Sequence, residues 1–339
     1  MLNEKIDKIL IDSMTAPLSF ERAEKMFDSI MDGNASDIQI AAFLTALKVR
    51  GESIDEITAA ASIMRKKSFK VLGAENAIDI VGTGGDGKST LNISTATSLT
   101  VASSGMAVAK HGNRKISSLS GSSDALQSLG VNTQMSPKIA EQCFNNFNYC
   151  FMMAPIFHPA MKNVMPVRQE LKTRTIFNIL GPLTNPASVS YQLIGVYDNS
   201  VAKKVAEVLK NLKIKRAWIV HGDDGTDEIS ITEKTKVTEI DRGKIKSFNV
   251  HPKDAGLKTH AFKEIEGGSA EFNAKKIDQM ADGERNGFLD SVLFNSAAAL
   301  YISGSSNNLE EGVKTALESV CEGKTRKLIN DLKTYSSGI

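Results

Sequence analysis

A cluster of glycines that follows a short apolar run constrains the fold of this chain more than any other feature. Residues 77–81 (AIDIV) suit a buried strand, and they lead directly into the cluster at 82–87 (GTGGDG). A helix-like run follows from about residue 92 to 104, and another apolar run, 106–109, ends at Lys110. The order strand, glycine turn, helix and strand is typical of an α/β unit with a parallel sheet.

The glycine cluster is compatible with several kinds of loop. Gly82, Gly84 and Gly87 satisfy the dinucleotide-binding pattern G-x-G-x-x-G, and Gly82 followed by 87–89 (GKS) satisfies the Walker A pattern. A simpler phosphate cradle also fits, and so does a tight turn without a ligand. The dinucleotide pattern needs an acid about 20 positions on, and residues 101–109 contain none.

The Walker A interpretation fits the residues beyond the loop poorly. It needs a second apolar strand that ends in an aspartate for magnesium. Residues 218–220 instead run into His221-Gly222-Asp223, and the helix after the loop begins nearer Asn92 than Lys88. The loop alone still leaves a nucleoside triphosphatase open.

The rest of the chain adds helices at both ends. Ser36 and Ser53 each precede a Gln or Glu by three residues, which is the spacing of a capping box, so the first 70 residues should form a helical bundle. Prolines crowded between 155 and 186 predict a turn-rich connection. The other predicted elements are strands at 192–197 and 217–221, a helix at 200–212, a hairpin of 237–240 and 244–248 around Arg242-Gly243, and helices over 288–302 and 309–332.

Composition indicates an ordinary globular protein of more than one domain. A chain of 339 residues exceeds the size at which single cores usually stop growing. Its 41 Lys and Arg nearly balance 39 Asp and Glu, which gives no overall field for nucleic acid or membrane. Three scattered cysteines and a polar N-terminal segment indicate a reducing compartment and no signal peptide. We therefore expect a cytoplasmic protein whose partners are neither nucleic acid nor membrane.

Several segments, taken in order, closely resemble the anthranilate phosphoribosyltransferase family over nearly the whole chain. The most specific are GTGGD at 82–86, KHGNR at 110–114, HPAMK at 158–162 and DGTDE at 224–228. Each segment alone is a weak signal, but the combination is highly specific. The Walker A match then becomes an accident of the GKS tripeptide.

The resemblance implies both a fold and a reaction. The fold is a small α-helical domain, residues 1–70 completed by about 165–190, beside a larger α/β domain, 71–164 and 191–339, with a central, mostly parallel sheet flanked by helices. A homodimer joined through the small domains is also implied. The reaction moves the 5-phosphoribosyl group from phosphoribosyl pyrophosphate to the amine of anthranilate. Catalysis would rest on neutralising the leaving pyrophosphate, by Lys110 and a metal, and on aligning the amine.

The resemblance also assigns residues to phosphoribosyl pyrophosphate and to Mg²⁺. Asp227 and Glu228 are adjacent acids that would repel each other without a cation, and Mg²⁺ typically takes one or two carboxylates plus substrate oxygens. Read alone, they would be an acidic surface loop. We expect two Mg²⁺ ions at Asp227, Glu228 and Ser94. The residues expected to bind phosphoribosyl pyrophosphate are Gly82, Thr83, Gly84, Gly85, Asp86, Thr90, Asn92, Ser94, Thr95, Lys110, Asn113, Ser118 and Ser122.

The expected anthranilate site must hold a carboxylate and a flat ring. Arg168 offers a two-pronged donor for the carboxylate, and neither neighbour four positions away, Val164 or Lys172, is an acid. Arg174 has Glu170 at that spacing and is expected to form a helix-surface pair. The residues expected to contact anthranilate are Gly82, His111, Asn113, His158, Arg168 and Pro182.

Three positions depart from the family pattern, and three other functions remain as alternatives. Lys172 stands where glycine is usual, Met153 where an aromatic residue is expected, and Thr226 where an apolar one is expected. The alternatives are a pyrimidine nucleoside phosphorylase, a P-loop triphosphatase that uses Lys88, and a non-catalytic relative that binds nucleic acid.

Overall fold

The computed structural model describes residues 5–115 and 119–337, and the described part begins with four helices. These are α1 Ile6–Ser13, α2 Phe20–Met31, α3 Asp37–Arg50 and α4 Ile54–Lys67. Ser36 and Ser53 cap α3 and α4, because each hydroxyl accepts a hydrogen bond from the backbone N–H three residues on. The Gln39 and Glu56 side chains accept in turn from the cap backbone. Both predicted capping boxes are confirmed.

Within the described residues a seven-stranded sheet organises the rest of the chain. Its strands, in the spatial order β3-β2-β1-β4-β5-β6-β7, are β1 Ile78–Gly82, β2 Val108–Gly112, β3 Tyr149–Met153, β4 Tyr191–Gly195, β5 Arg216–Gly222, β6 Thr235–Asp241 and β7 Lys244–Val250. Strands β1 to β5 pair in parallel, and β6 and β7 add an antiparallel hairpin. The hairpin turns at Arg242 and Gly243, both at positive φ. The predicted α/β class, the mostly parallel sheet and the hairpin are confirmed.

Alternating strand residues face two apolar layers, as the pleat of a strand requires. The remaining helices are α5 Ile93–Ser103, α6 Ser122–Ser128, α7 Pro137–Phe147, α8 Ala154–Phe157, α9 Met165–Leu171, α10 Phe177–Leu183, α11 Ala202–Asn211, α12 Ala270–Ala281, α13 Gly287–Ser303, α14 Leu309–Cys321 and α15 Lys324–Ser337, with 3₁₀ turns at Pro159–Asn163, Asn199–Val201, Pro252–Ala255 and Phe262–Glu264. Leu193 and Trp218 share a core with α5 and α13, whereas Ile194 and Ile219 share one with α11 and the N-terminal helices. Both faces of the parallel strands are therefore covered.

The strand order determines where a ligand can bind. Strands β2 and β3 lie on one side of β1, and β4 and β5 lie on the other. Open parallel sheets bind ligands beyond the carboxyl ends of their strands, at the point where the order reverses. Gly82 ends β1 and pairs with Gly195, which ends β4. The glycine loop, residues 82–87, therefore leaves the sheet at this switch point.

The structure corrects four details of the sequence prediction. The proline-rich stretch forms short helices rather than turns, because proline occupies the first turn of α8, of the 3₁₀ turn at 159–163 and of α9, where its missing N–H costs nothing. Strand β3 was missed because all its residues are buried, which removes the alternation that marks a strand. Lys110 lies inside β2, not on the turn after it. The helix predicted over 309–332 is two helices, which part at Gly323 with φ 71.

The three departures from the family pattern are accommodated locally. Lys172 ends α9 in the left-handed conformation with φ 47, so the helix stops where a glycine would stop it. Met153 is buried in the core that contains α5. The Thr226 hydroxyl donates to Asp224 Oδ1 at 2.7 Å, which holds the loop before the predicted metal acids. Across the described ranges, no helix is long and apolar enough to cross a membrane.

Candidate active site

The glycine loop packs directly against a second loop that carries the predicted acids. A Cβ atom at Gly195 would overlap the Asp227 carbonyl oxygen, and one at Gly82 would lie 2.5 Å from Asp227 Oδ2. Gly84 has φ 65, in the left-handed region that glycine adopts without strain. Glycine is therefore required here both for the path of the loop and for the approach of Asp227.

The two acids predicted to bind Mg²⁺ accept hydrogen bonds from both ends of the segment predicted to bind phosphate. Asp227 Oδ2 accepts a hydrogen bond from the Gly84 N–H at 2.9 Å, across 143 positions of sequence. Glu228 Oε1 accepts one from the Ser94 N–H at 3.1 Å. The Asp227 N–H in turn donates to Asp86 Oδ2 at 3.5 Å. The fold thus brings together the three residues predicted to hold magnesium.

Partial burial and mutual repulsion raise the pKa values of both acids. Desolvation, together with the Asp86 charge, raises the pKa of Asp227 to about 7. Desolvation and the Asp227 charge hold the pKa of Glu228 well above its usual range. In the part of the chain that is described, no group of three or more His, Cys, Asp or Glu side chains forms a metal site by itself. Two carboxylates that need a cation fit Mg²⁺, which shares its coordination with substrate oxygens and water.

Lys110 lies beneath the site rather than on its surface. Its side chain is 1% exposed, and its ammonium group donates to the Ile80 carbonyl. Burial lowers the pKa of Lys110, while the charges of Asp79 and Glu228 oppose that shift. Lys110 interacts electrostatically with Asp79 and Glu228, and its predicted contact with phosphate stays a prediction.

Asp79 is a buried acid on β1 that the sequence analysis did not select. Its Oδ1 accepts from the His111 backbone N–H at 3.1 Å, and its Oδ2 accepts from Asn185 Nδ2 at 2.8 Å. Burial raises the pKa of Asp79 to about 6, against the lowering effect of Lys110. The sequence did contain a signal for Asp79: it is an acid inside the apolar run 77–81, and a buried acid needs a partner.

Asn92 and Thr95, at the start of α5, differ in the hydrogen bonds of their side chains. Asn92 is the N-cap residue of α5, but its side chain makes no hydrogen bond to the helix: its Nδ2 donates to the Ser120 carbonyl at 3.2 Å, and its Oδ1 accepts from Asn273 Nδ2 at 2.8 Å. Thr95 Oγ1 is buried and has no hydrogen-bond partner among the described residues, and its predicted contact with substrate stays a prediction.

Three other residues predicted to bind phosphoribosyl pyrophosphate, Thr83, Thr90 and Ser122, are bonded to neighbouring segments of the chain. Thr83 Oγ1 accepts a hydrogen bond from the backbone beyond β4 at 3.1 Å. Thr90 forms a β-bridge with the segment before α12. The Ser122 hydroxyl donates to the Asn113 carbonyl at 3.2 Å. Ser118 lies outside the described residues.

Two buried histidines form an uncharged wall beside β2. The ring centroids of His111 and His158 are 5.0 Å apart. Desolvation lowers the pKa of His111 to about 4 and that of His158 to about 3, so both rings are neutral at pH 7. His111 Nδ1 lies 3.1 Å from the Gly181 carbonyl, which only accepts, so Nδ1 carries the proton and Nε2 presents a lone pair. Among the described residues, neither Nε2 atom has a hydrogen-bond partner. Pro182, predicted to shape this pocket, is buried next to Gly181.

Arg168 is held by stacking rather than by an ion pair. Its guanidinium lies 5.4 Å from the centre of the Phe177 ring, and burial lowers its pKa. Over the described ranges no acid lies within ion-pair distance of it. Arg168 Nη1 donates a hydrogen bond to Met165 Sδ at 3.8 Å, and the predicted contact of the guanidinium with a ligand carboxylate stays a prediction.

Arg174 contacts the glycine loop, and its predicted ion pair with Glu170 is wrong. Its guanidinium donates to the Gly85 carbonyl and stacks 3.9 Å from the centre of the Tyr197 ring. The four-residue spacing misled because α9 ends before Lys172, so the two residues do not share a helix. Sequence spacing alone carries no signal for this contact.

The geometry after the loop excludes a Walker A site. In such a site the helix begins at the lysine and serine that follow the glycines. Here α5 begins at Ile93, five positions beyond Lys88. Lys88 is exposed, and its side chain lies against Gly225 of the acidic loop.

The described architecture matches two models of one family. The model of the glycosyl transferase family, α/β domain, matches residues 74–326. The model of the glycosyl transferase family, helical bundle domain, matches residues 2–68. The fold and these two matches thus define a transferase of the glycosyl transferase class.

Relatives of known name narrow the class. An anthranilate phosphoribosyltransferase of Parvibaculum lavamentivorans is 47% identical over 321 residues, which cover 95% of this chain and 94% of that protein. The crystal structure of anthranilate phosphoribosyltransferase from Thermus thermophilus has a TM-score of 0.91 at 36% identity, covering 98% of this chain and 99% of that one. The Saccharomyces cerevisiae enzyme in complex with PRPP (phosphoribosyl pyrophosphate) and Mg has a TM-score of 0.89 at 27% identity, covering 98% of each chain. The chain belongs to the anthranilate phosphoribosyltransferase family.

Proposed function

We propose that this protein transfers the 5-phosphoribosyl group of phosphoribosyl pyrophosphate to the amine of anthranilate, the second step of tryptophan biosynthesis from chorismate. The bond from ribose C1 to the pyrophosphate oxygen breaks, a bond from C1 to the anthranilate nitrogen forms, and the nitrogen loses one proton. The observation that carries this proposal is the meeting of the glycine loop with Asp227 and Glu228 at the switch point of the sheet. A relative at 47% identity over 95% of the chain bears the name of this activity.

Phosphoribosyl pyrophosphate binds over the glycine loop and the start of α5. Backbone N–H groups of the loop donate to its oxygens, and the N-terminus of α5 adds partial positive charge. The unpaired Thr95 hydroxyl and the Asn92 amide add side-chain contacts. The buried Lys110 adds a positive charge from below, which stabilises the departing pyrophosphate.

Asp227, Glu228 and Ser94 hold Mg²⁺. When bound, Mg²⁺ neutralises the negative charge that develops on pyrophosphate. Asp86 adds a third carboxylate beside Asp227. A single divalent cation therefore cannot neutralise these carboxylates together with the phosphates of the substrate. We therefore propose two ions.

Anthranilate binds between Arg168 and the histidine pair. Arg168 donates two hydrogen bonds to the carboxylate. His111 Nε2, buried with a free lone pair, accepts an N–H of the amine and so directs the nitrogen lone pair toward C1. An arylamine is neutral at pH 7 with that lone pair available, so attack requires no strong base. His158 and Pro182 line the ring, together with Asn113 and Gly82.

A homodimer is also part of the proposal. Four large apolar side chains on or next to α1 and α3 are exposed, which favours a covered surface on the helical domain: Ile11, Met14, Ile38 and Val49. Helices α9 and α10 pack on α3 and α4, which supports residues 165–190 as the completion of that domain.

The three cysteines, none of them in a disulfide, suit a cytoplasmic location.

Three assays distinguish this function from the alternative enzyme activities. The protein is assayed with phosphoribosyl pyrophosphate and anthranilate, with a pyrimidine nucleoside and phosphate, and with ATP alone, each with magnesium. Turnover of the first pair is expected. Turnover of nucleoside or ATP, with none of the first pair, would overturn the proposal. Sedimentation velocity measures the dimer separately, and a monomer at micromolar concentration would contradict that part.

A further inference from the structure

We propose that Asn273 on α12 is a positioning residue for phosphoribosyl pyrophosphate, because it fixes the orientation of the Asn92 amide. Asn273 is 1% exposed and lies 181 positions from Asn92 in sequence. No feature of the sequence marked it. The inference rests on the proposed contact between Asn92 and the substrate.

The two amides form a chain of hydrogen bonds whose ends have fixed polarity. At one end the Gly268 N–H, which only donates, bonds to Asn273 Oδ1 at 2.8 Å. At the other end the Ser120 carbonyl, which only accepts, bonds to Asn92 Nδ2 at 3.2 Å. Between them Asn273 Nδ2 donates to Asn92 Oδ1 at 2.8 Å. Both amides therefore have one orientation that satisfies every bond.

The fixed orientation determines what Asn92 offers to an anion. Phosphate oxygens only accept, so the useful group of Asn92 is its amide N–H. Asn92 Nδ2 carries two hydrogens, of which the Ser120 carbonyl uses one. A flipped Asn92 amide would set Oδ1 against the Ser120 carbonyl and Nδ2 against Asn273 Nδ2. Asn273 opposes that flip and keeps the second N–H of Asn92 as a donor.

The segment before α12 also ties Asn273 to the end of the glycine loop. The Leu91 N–H donates to the Ile265 carbonyl at 2.8 Å, and the Gly267 N–H donates to the Ser89 carbonyl at 2.8 Å. A Cβ at Gly267 would overlap the Thr90 carbonyl, so this segment lies tightly against the loop. These backbone contacts therefore fix the position of the segment that carries Asn273 relative to the residues that precede Asn92.

Replacement of Asn273 by Asp tests the relay, because an ionised carboxylate still accepts from Gly268 but no longer donates to Asn92. One neutral hydrogen bond lost corresponds to about a 3- to 10-fold effect. We expect KM for phosphoribosyl pyrophosphate to rise by about that factor, with KM for anthranilate unchanged. Asn273→Ala, which buries no charge, provides a second variant if the first folds poorly. Ser269→Ala is the matched control, because it removes the N-cap of the same helix without touching Asn92.

A double-mutant cycle with Asn92→Ala separates positioning from general destabilisation. In the Asn92→Ala background, Asn273→Asp should change KM for phosphoribosyl pyrophosphate by less than about twofold, because its route of action is gone. The same 3- to 10-fold rise in both backgrounds, or an equal rise with Ser269→Ala, would overturn the inference alone. If Asn92→Ala itself leaves that KM unchanged, the proposed substrate contact fails, and the inference fails with it.

Discussion

Replacing Asp227 by Asn should abolish transfer and, in the absence of magnesium, stabilise the fold at pH 8. The carboxylate of Asp227 is partly buried beside Asp86 and Glu228, and desolvation with the Asp86 charge raises its pKa to about 7. An acid with a raised folded pKa binds its proton more tightly in the folded state than in the unfolded state. The stabilising proton is fully present below about pH 4 and is lost as pH rises through about 7. The amide of Asn keeps the acceptor for the Gly84 N–H and carries no charge.

The pKa of Asp227 sets the size of this effect. A rise from 3.8 to about 7, at ~1.4 kcal/mol per unit, gives an upper bound of about 4 kcal/mol for ionised Asp227 at pH 8. Because the neighbouring acids share the repulsion, we expect about 1–4 kcal/mol. For a chain of this size that corresponds to a rise in Tm of roughly 1–6 °C.

Thermal unfolding in EDTA at pH 5.5 and pH 8 measures the effect. The gain in Tm from Asp227→Asn should be larger at pH 8, and magnesium with phosphoribosyl pyrophosphate should raise Tm of the unmodified protein more than that of the variant. Asp224→Asn is a control of opposite sign: burial acts to raise the pKa of Asp224, but hydrogen bonds from Ser230, Thr232 and Thr226 outweigh it and lower the pKa. That control should unfold at a lower temperature at pH 8. A loss of Tm in Asp227→Asn at pH 8 would refute the reasoning.

Three further variants test the parts of the site. Gly195→Ala should lower kcat/KM by at least about 100-fold, because its methyl overlaps the Asp227 carbonyl and displaces the acids; activity within twofold of the unmodified protein would contradict this packing. Arg168→Ala should lower kcat/KM for anthranilate about 10- to 100-fold through lost charged hydrogen bonds, and equal changes in KM for both substrates in initial-rate kinetics would count against a carboxylate clamp. Lys88→Ala should retain transfer within a few-fold, because an exposed charge contributes up to about 1 kcal/mol; collapse of activity together with measurable ATP hydrolysis would restore the Walker A interpretation.

Features that local sequence specifies were predictable. The run 77–81, the glycines after it and the helix that follows are contiguous, and their order alone indicates a parallel α/β unit. Both capping boxes and the Arg242-Gly243 hairpin turn depend on residues a few positions apart. Asp227 and Glu228 were assigned to Mg²⁺ through the resemblance to the family, because two adjacent acids read alone indicate only a surface loop. Their distance from the glycine loop in sequence gave no hint that the two segments are in contact.

Features that depend on distant packing were missed. Asp79 bonds to β2 and to Asn185, 106 positions away, and Asn273 bonds to Asn92 across 181 positions. Strand β3 is buried on both faces, so its sequence lacks the alternation of apolar and polar residues that marks a strand. Arg174 was assigned to Glu170 by helical spacing that the end of α9 interrupts, and it contacts Gly85 instead. These contacts follow from the assembled sheet, not from any local pattern.

The most direct test of the central claim is the stoichiometry of the reaction. Anthranilate fluorescence and released pyrophosphate are followed together after phosphoribosyl pyrophosphate is added, with magnesium and with EDTA. The proposed function predicts that fluorescence falls, that one pyrophosphate appears for each anthranilate consumed, and that EDTA stops both. Pyrophosphate release without loss of anthranilate, or no change of either in the presence of magnesium, would contradict it.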